Sequence, residues 1–379
     1  MRVAAVICEF NPFHNGHKYL IDKIKSEYAD CVIAIMSGNF VQRGDVAITD
    51  KFTRTKAALE NGCDLVVELP TVFALSSAEY FAKGGVELAQ ALNADMLCFG
   101  AENDDIKTLS DIADAFCDDN FKETFKKYMG NGSYYAKAVS ESIKEVLSYK
   151  HSEILSKPNN TLAIEYIKAL KGTSITPIAI KRNGADHDSD VTSKNIASAT
   201  HIRNLIQESK EYDSFTSMDI INYSDIKKLE TAILYKLRTM SKDELENLPD
   251  VNEGLHNRIF DCCRKSNSLE ELFDNLKTKR YTLARLRRIV IYALLDITKY
   301  DIQEKVKYIR VLGMNDSGAK LLSNATLPLI CRVANDYSTL NIDAKKMFDI
   351  DIKANDVFFL SSTGSKKYEN ELASQIIKI

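Results

Sequence analysis

The chain has 379 residues, 45% of them hydrophobic and 27% charged, with only 15 Gly and 6 Pro. These proportions exclude a disordered, collagen-like or long coiled-coil chain, and at ~100–200 residues per domain they predict two or three globular domains. A total of 50 Lys and Arg against 53 Asp and Glu gives a net charge of −3, which excludes a polycation and leaves a local patch as the only way to hold a nucleic acid.

Short apolar runs at 3–8, 31–36, 65–69 and 96–99 alternate with stretches of helical spacing at 15–29, 50–61 and 78–92. Strand and helix at this rhythm predict βαβ units and a parallel sheet with helices on both faces. Ligands of such sheets bind beyond the carboxyl ends of the strands, so the peptides after Cys8, Met36, Leu69 and Phe99 are the places where chemistry is expected. Residues 104–150 are helical and charged and look like an insertion or cap. A further strand is predicted at 175–180, with Pro177 arguing for an edge position. A polar loop follows at 181–188, and a helix opens at 198. From about 210 to 300 the pattern is helical, and 305–379 is mixed and unassigned. The expected organisation is an α/β domain over 1–210 and a mostly helical region over 211–379.

No apolar run reaches the ~18–20 residues of a membrane span, and the N-terminal run lacks a small-residue cleavage site. The 8 cysteines are scattered, with no CxxC pair. Cytoplasmic location, no membrane partner, no disulfide framework and no structural metal are the expectation.

The strongest local signal is Glu9 to His17, EFNPFHNGH, directly after the first strand. His14 and His17 open the first helix with Gly16 between them. Free N–H groups and the positive dipole end at a helix N-terminus attract phosphate. Imidazoles on the first turn can stabilise charge developing on phosphate oxygens, and Gly16 lets a nucleotide lie close to the backbone. Pro12 stiffens the turn, and Asn11 or Asn15 can cap it. His-x-x-His can also bind a metal, but no third ligand stands nearby; an idle surface pair is the other alternative.

Here the chain resembles the HxGH nucleotidyltransferase superfamily, which also includes class I aminoacyl-tRNA synthetase cores. A second signature of that superfamily, a Ser/Thr-rich turn ending in Arg, is matched by Ala197-Ser198-Ala199-Thr200-His201-Ile202-Arg203. Ser198 and Thr200 would meet phosphate and Arg203 would supply a fixed charge; an ordinary helix cap is the alternative. Thr239-Met240-Ser241-Lys242 imitates a synthetase loop but leads into acidic Asp243-Glu244-Leu245-Glu246, and it reads as a helix N-cap.

Further stretches resemble one narrower family, the bacterial tRNA(Met) cytidine acetate ligases: SGNFVQRG from Ser37 to Gly44, DKFTR from Asp50 to Arg54, Glu68-Leu69-Pro70, Phe99-Gly100, Lys157-Pro158-Asn159-Asn160, Lys181-Arg182, and NLKTKRYTLARLRR from Asn275 to Arg288. The resemblance implies a Rossmann-like nucleotidyltransferase fold. It implies formation of acetyl-AMP and pyrophosphate from ATP and acetate, then transfer of the acetyl group to N4 of the wobble cytidine C34 of elongator tRNA(Met), giving N4-acetylcytidine. It places ATP on Ile7, Cys8, Glu9, Phe10, Asn11, Pro12, Phe13, His14, Asn15, Gly16, His17, Lys18, Tyr19 and Leu20, with His14 and His17 catalytic. Gly100, one or both of Asn159 and Asn160, and Arg182 would complete the nucleotide contacts.

Acetate is an anion meeting a polyanion, so a cation is required; Arg43 and Arg54, after the second strand, are the candidates, with surface ion pairing as the alternative. Mg²⁺ is expected with the triphosphate. Between Asn275 and Arg310 ten Lys and Arg stand against three acids, the footprint of a polyanion partner. Lys277, Lys279, Arg280, Arg285, Arg287 and Arg288 would bind RNA and Tyr281 would stack on an exposed base; a solvated helix face is the alternative. Other functional readings are adenylylation of a small phosphorylated metabolite and a non-catalytic RNA-binding factor.

Overall fold

The structure, a computed structural model, describes residues 1–182, 195–364 and 368–379. Over the first hundred residues the predicted alternation is present: β1 (Val3–Cys8), α1 (Asn15–Glu27), β2 (Cys31–Ser37), a small hairpin of β3 (Phe40–Val41) and β4 (Asp45–Val46), α2 (Lys51–Glu60), β5 (Leu65–Leu69), α3 (Thr71–Ala74), α4 (Ala78–Ala91) and β6 (Met96–Ala101). Helices α5 (Ile106–Ala115), α6 (Asp119–Gly130), α7 (Tyr135–Val146), α8 (Tyr149–Ile154) and α9 (Pro158–Leu170) separate β6 from β7 (Thr176–Lys181). The polar loop expected at 181–188 lies, from 183 on, outside the described residues. Then come α10 (Ala199–Gln207), α11 (Glu230–Thr239), α12 (Lys242–Glu246), α13 (Leu255–Lys265), α14 (Leu269–Leu276) and α15 (Leu283–Leu295). The last stretch forms β8 (Ile309–Met314), α16 (Asp316–Leu321), β9 (Leu329–Ile330), α17 (Val333–Thr339), α18 (Ile342–Phe359) and β10 (Ile377–Lys378).

The sheet runs β10-β8-β5-β2-β1-β6-β7, with β9 beside β8. Its five strands from β5 to β7 are parallel, while β8 runs antiparallel to β5 and carries β9 and β10 parallel to itself. The expected parallel sheet is therefore extended by three strands from the stretch that sequence patterning left unassigned. β7 ends the sheet, so Pro177 sits on an edge strand, where its missing N–H leaves no ladder bond broken.

Every residue of β1, β2 and β5 is buried, as strands covered on both faces require. The period of two splits them between two cores. Ala4, Val6, Val32, Ala34 and Val66 pack with Ile21 and Ile24 of α1, Ala58 of α2 and Ile202 of α10. Ala5, Ile7, Ile33, Ile35 and Val67 pack with α3, α4, α5 and α9, and this second core continues without a break into α11, α13, α14, α15 and α18. No helix among the described residues is long and apolar enough to cross a membrane.

A buried ionic cluster fastens the C-terminal strands to the sheet. Lys51 donates to Glu68 at 2.6 Å and lies 2.8 Å from Glu371, while Arg310 lies 2.9 Å from the other oxygen of Glu371. All four side chains are at most 3% exposed. Burial would raise Glu371, but Lys51 and Arg310 outweigh it and keep its carboxyl below the usual range. Glu68 is pushed up to about 7, by burial first and by Asp351 and Glu371 next, against the pull of Lys51. Glu371 is thus the anion that answers both cations.

Candidate active site

The carboxyl ends of β1, β6 and β7 open into a cleft of about 240 Å³. At its floor His14 is the N-cap of α1, in extended conformation with φ −144°. Its Nδ1 accepts from the Gly16 amide at 3.0 Å, and Nδ1 of His17 accepts from the His14 amide at 3.2 Å. This is a capping box in which imidazoles replace the usual Ser and Glu. The two rings stack, 3.7 Å apart and 23° from parallel. The close approach requires Gly16: a Cβ there would stand 2.9 Å from His14 Cε1.

The expected free amides at this helix start are all taken. Asn15 donates to the Phe215 carbonyl, Gly16 to the His14 ring, and His17 and Lys18 to the His14 carbonyl. The hydrogen bonds left for phosphate belong to the imidazoles. Each Nδ1 is an acceptor, so in the neutral ring the proton is on Nε2. Both rings are held neutral. Burial, with Arg182 and Arg203 adding, lowers His14 to about 3, and burial, with His14 and Arg182 adding, lowers His17 well below its ordinary value.

Around the histidines the cleft brings together Glu9, Gln42, Arg43, Gly100, Asn159, Lys181, Arg182 and Ser198. Its apolar side is Phe81, Phe99, Leu162 and Tyr166, with the Phe99 and Tyr166 rings 5.5 Å apart. Within the Asn pair the geometry discriminates. Asn159 lines the cleft and donates to Glu102 at 2.6 Å. Asn160 is 3% exposed, accepts from the Asn103 amide and donates to the Ile154 carbonyl, so it ties the loop after β6 to α9. Ser198 caps α10, accepting from the His201 amide. Arg203 stands beside the cleft: it donates to the Asn11 carbonyl at 2.8 Å and to the Thr200 hydroxyl at 3.1 Å, and so fixes the turn between β1 and α1.

Two groups of expected contacts sit elsewhere. Arg54 is wholly buried behind the cleft wall, its guanidinium donating to the carbonyls of Thr49, Glu9, Ser37 and Gly38. It joins the ends of β1 and β2 and does not line the cleft. Of the ten cations between Asn275 and Arg310, only Lys277, Lys279, Arg280 and Lys305 are fully exposed. Tyr281 is 9% exposed with Arg285 over its ring, which removes it from base stacking in this conformation. Arg285 donates to the Asp250 carbonyl and Arg288 pairs with the Asp250 carboxylate at 2.8 Å. Charge along a sequence does not reveal that such partners wait 38 residues upstream.

The basic segment nevertheless adjoins the cleft. The β3–β4 hairpin, which carries Gln42 and Arg43, turns at Gly44 with φ +74° and rests on the backbone of Arg287 and Arg288 in α15. Ser241, by contrast, caps α12 in a capping box with Glu244, as the helix-cap reading of that stretch expects.

A model of the HIGH Nucleotidyl Transferase family matches residues 1–373. The chain belongs to that family. It is 38% identical to a tRNA(Met) cytidine acetate ligase of Thermoanaerobacter sp. (strain X514) and 38% identical to one of Clostridium perfringens (strain SM101 / Type A), with both chains covered completely in each comparison. The crystal structure of Thermotoga maritima TmcAL bound with alpha-thio ATP has a TM-score of 0.92 and 28% identity to this chain, covering 100% of it and 99% of the neighbour. The apo form gives the same TM-score and identity. This member of the family is an ATP-binding ligase within the tRNA(Met) cytidine acetate ligase group.

Proposed function

We propose that the protein forms acetyl-AMP from ATP and acetate and transfers the acetyl group to N4 of the wobble cytidine C34 of elongator tRNA(Met), giving N4-acetylcytidine. The full-length relatives named for this reaction support the reading. The observation that carries it is the shared hairpin: one side of β3–β4 lines the nucleotide cleft and the other rests on the basic helix α15.

In the first step a carboxylate oxygen of acetate attacks the α-phosphorus of ATP and the bond to pyrophosphate breaks. The adenine lies against Phe99 and Tyr166. The Nε2–H groups of His14 and His17 donate to the phosphate oxygens where charge develops, and because the rings are neutral and fixed by their Nδ1 bonds they need no reorganisation. Arg182 and Lys181 flank the triphosphate, and Arg43 offsets the repulsion between acetate and phosphate. Among the described residues the cleft holds a single carboxylate, Glu9, and no group of three metal-ligating side chains. That donor set fits a Mg²⁺ carried by phosphate oxygens and water, which would neutralise part of the triphosphate charge. In the second step the N4 amine attacks the acetyl carbonyl and AMP leaves. The wobble base of an anticodon loop is already unpaired and exposed, so presenting it costs little. Lys277, Lys279 and Arg280 hold the phosphates of the loop.

The purified protein, ATP, Mg²⁺, labelled acetate and elongator tRNA(Met) suffice to test this. Label should enter the tRNA and appear as N4-acetylcytidine on nucleoside analysis; acetate-independent ATP turnover with unlabelled tRNA would overturn the reading.

A further inference from the structure

The second step leaves a proton to be placed. When the N4 amine bonds to the acetyl carbon it becomes cationic, and collapse to the amide with loss of AMP requires that N4 give up one proton. The cleft offers few acceptors. Both imidazoles carry their proton on Nε2, spend Nδ1 on backbone amides and are held neutral far below their ordinary range, which makes them donors and poor bases. The Cys8 thiol and Tyr166 hydroxyl are both pushed upward by burial, so neither is an anion. Lys181, Arg182 and Arg43 are cations.

Glu9 is the one carboxylate among the described cleft residues. It is fixed twice. Its carbonyl accepts from Arg54 at 2.6 Å, and Oε1 accepts from the Gln42 amide at 2.9 Å. Oε2 makes no hydrogen bond with any described residue. The residue follows β1 directly, is half-buried, and is tied through the Gln42 amide to the hairpin that abuts α15. A carboxylate with one oxygen tethered and the other open, held by the hairpin that joins the cleft to the basic helix, is a built proton acceptor.

We infer that Glu9 is the general base of acyl transfer: Oε2 takes the N4 proton as the N4–carbonyl bond forms and the carbonyl–phosphate bond to AMP breaks. The inference rests on the acetate-ligase reading and assigns a catalytic residue to its second half. Proton and leaving group then separate, with the proton on Glu9 and the negative charge on AMP.

Glu9→Gln tests it, because glutamine keeps an Oε1 acceptor for the Gln42 amide and removes only the basic oxygen. Three rates are measured on wild type and variant: acetate-dependent ATP–pyrophosphate exchange, acetohydroxamate formation with hydroxylamine replacing tRNA, and transfer to tRNA. Hydroxylamine is nucleophilic enough to capture the adenylate without a protein base. Whatever the substitution costs exchange and acetohydroxamate formation, the variant should lose transfer to tRNA by a further ~10²–10⁴-fold, the usual worth of a general base. Transfer at the wild-type rate would overturn the assignment and leave the departing phosphate to take the proton. Equal loss of all three rates would overturn it too and place Glu9 in adenylation. Absence of acetate-dependent exchange in the wild type would instead sink the acetate-ligase reading.

Discussion

Gly44 lies against Arg288 so closely that a Cβ on the glycine would stand 2.4 Å from the Arg288 amide nitrogen. The hairpin turn and the first turns of α15 are therefore in backbone contact, and Gly44 also sits at φ +74°, where a side chain is strained. Gly44→Ala adds both penalties. The left-handed conformation alone costs ~1–2 kcal/mol, so a loss of about 2 kcal/mol or more is expected in urea unfolding. Because Gln42 and Arg43 ride on the same hairpin, the variant should lose transfer to tRNA by a larger factor than it loses adenylate formation. Equal losses would uncouple the hairpin from the basic helix.

The paired imidazoles give a second expectation. His14→Ala removes one donor to the developing charge and one acceptor at the helix start. Loss of a single preorganised donor costs ~10²–10³-fold in rate, and pyrophosphate exchange should fall by that factor. Gly16→Ala should act in the same direction through crowding, since its new Cβ meets His14 Cε1 at 2.9 Å.

The same burial sets a pH dependence. His14 titrates at about 3 in the folded chain, below its ordinary value of 6.5. Between those values the unfolded chain binds the proton and the folded chain does not, so stability rises with pH across that window and falls as the medium is acidified from 6.5 towards 3. One imidazole contributes at most ~1.4 kcal/mol per pH unit. Tm measured from pH 7 to pH 4 should drop, and less steeply in His14→Asn. An unchanged slope in that variant would mean that His14 is protonated in the folded chain.

The limits of the sequence reading follow from what each residue needs as a partner. β1, β2, β5 and β6 were legible because strands buried on both faces are continuous apolar runs flanked by helical spacing. β9 and β10 are two residues each, and β8 finds its neighbour β5 some 240 positions upstream, a separation that periodicity does not bridge. His14, Gly100, Asn159, Arg182 and Ser198, from five separate stretches, line one cleft. The cations were harder. Arg54, Arg285 and Arg288 look like Arg43 and Arg280 on paper, but their guanidiniums end on carbonyls and on Asp250. Gln42 lacked a motif of its own, although SGNFVQRG, a polar stretch at the carboxyl end of a strand with no helix following at once, marked the place.

Glu371 is the anion shared by Lys51 and Arg310, and all three are buried. Glu371→Ala would leave two buried cations with too little negative charge, and breaking a buried pair in this way costs ~3–5 kcal/mol. We expect a large fall in the urea midpoint with the β10 end of the sheet released first, read as early loss of amide protection at β8. Glu371→Gln keeps the shape and should recover part of the loss. A midpoint unchanged in both variants would mean that β10 is held by its strand pairing alone.

The basic segment divides into cations that bind outward and cations that bind inward, and the two kinds predict different failures. Lys277, Lys279 and Arg280 are exposed, so replacing all three by Ala should leave folding and pyrophosphate exchange intact and weaken tRNA binding. On single-stranded RNA the dependence of log affinity on log salt is about −0.7 per phosphate neutralised, so the triple variant should flatten that slope by about 2. Arg288 is only 12% exposed and pairs with Asp250. Arg288→Ala removes hydrogen bonds to a charged group, worth ~1.5–3 kcal/mol, and should lower Tm while leaving the salt slope as it is. If the triple variant instead abolishes exchange, or if Arg288→Ala flattens the salt slope without loss of stability, the roles are the reverse of those argued from exposure.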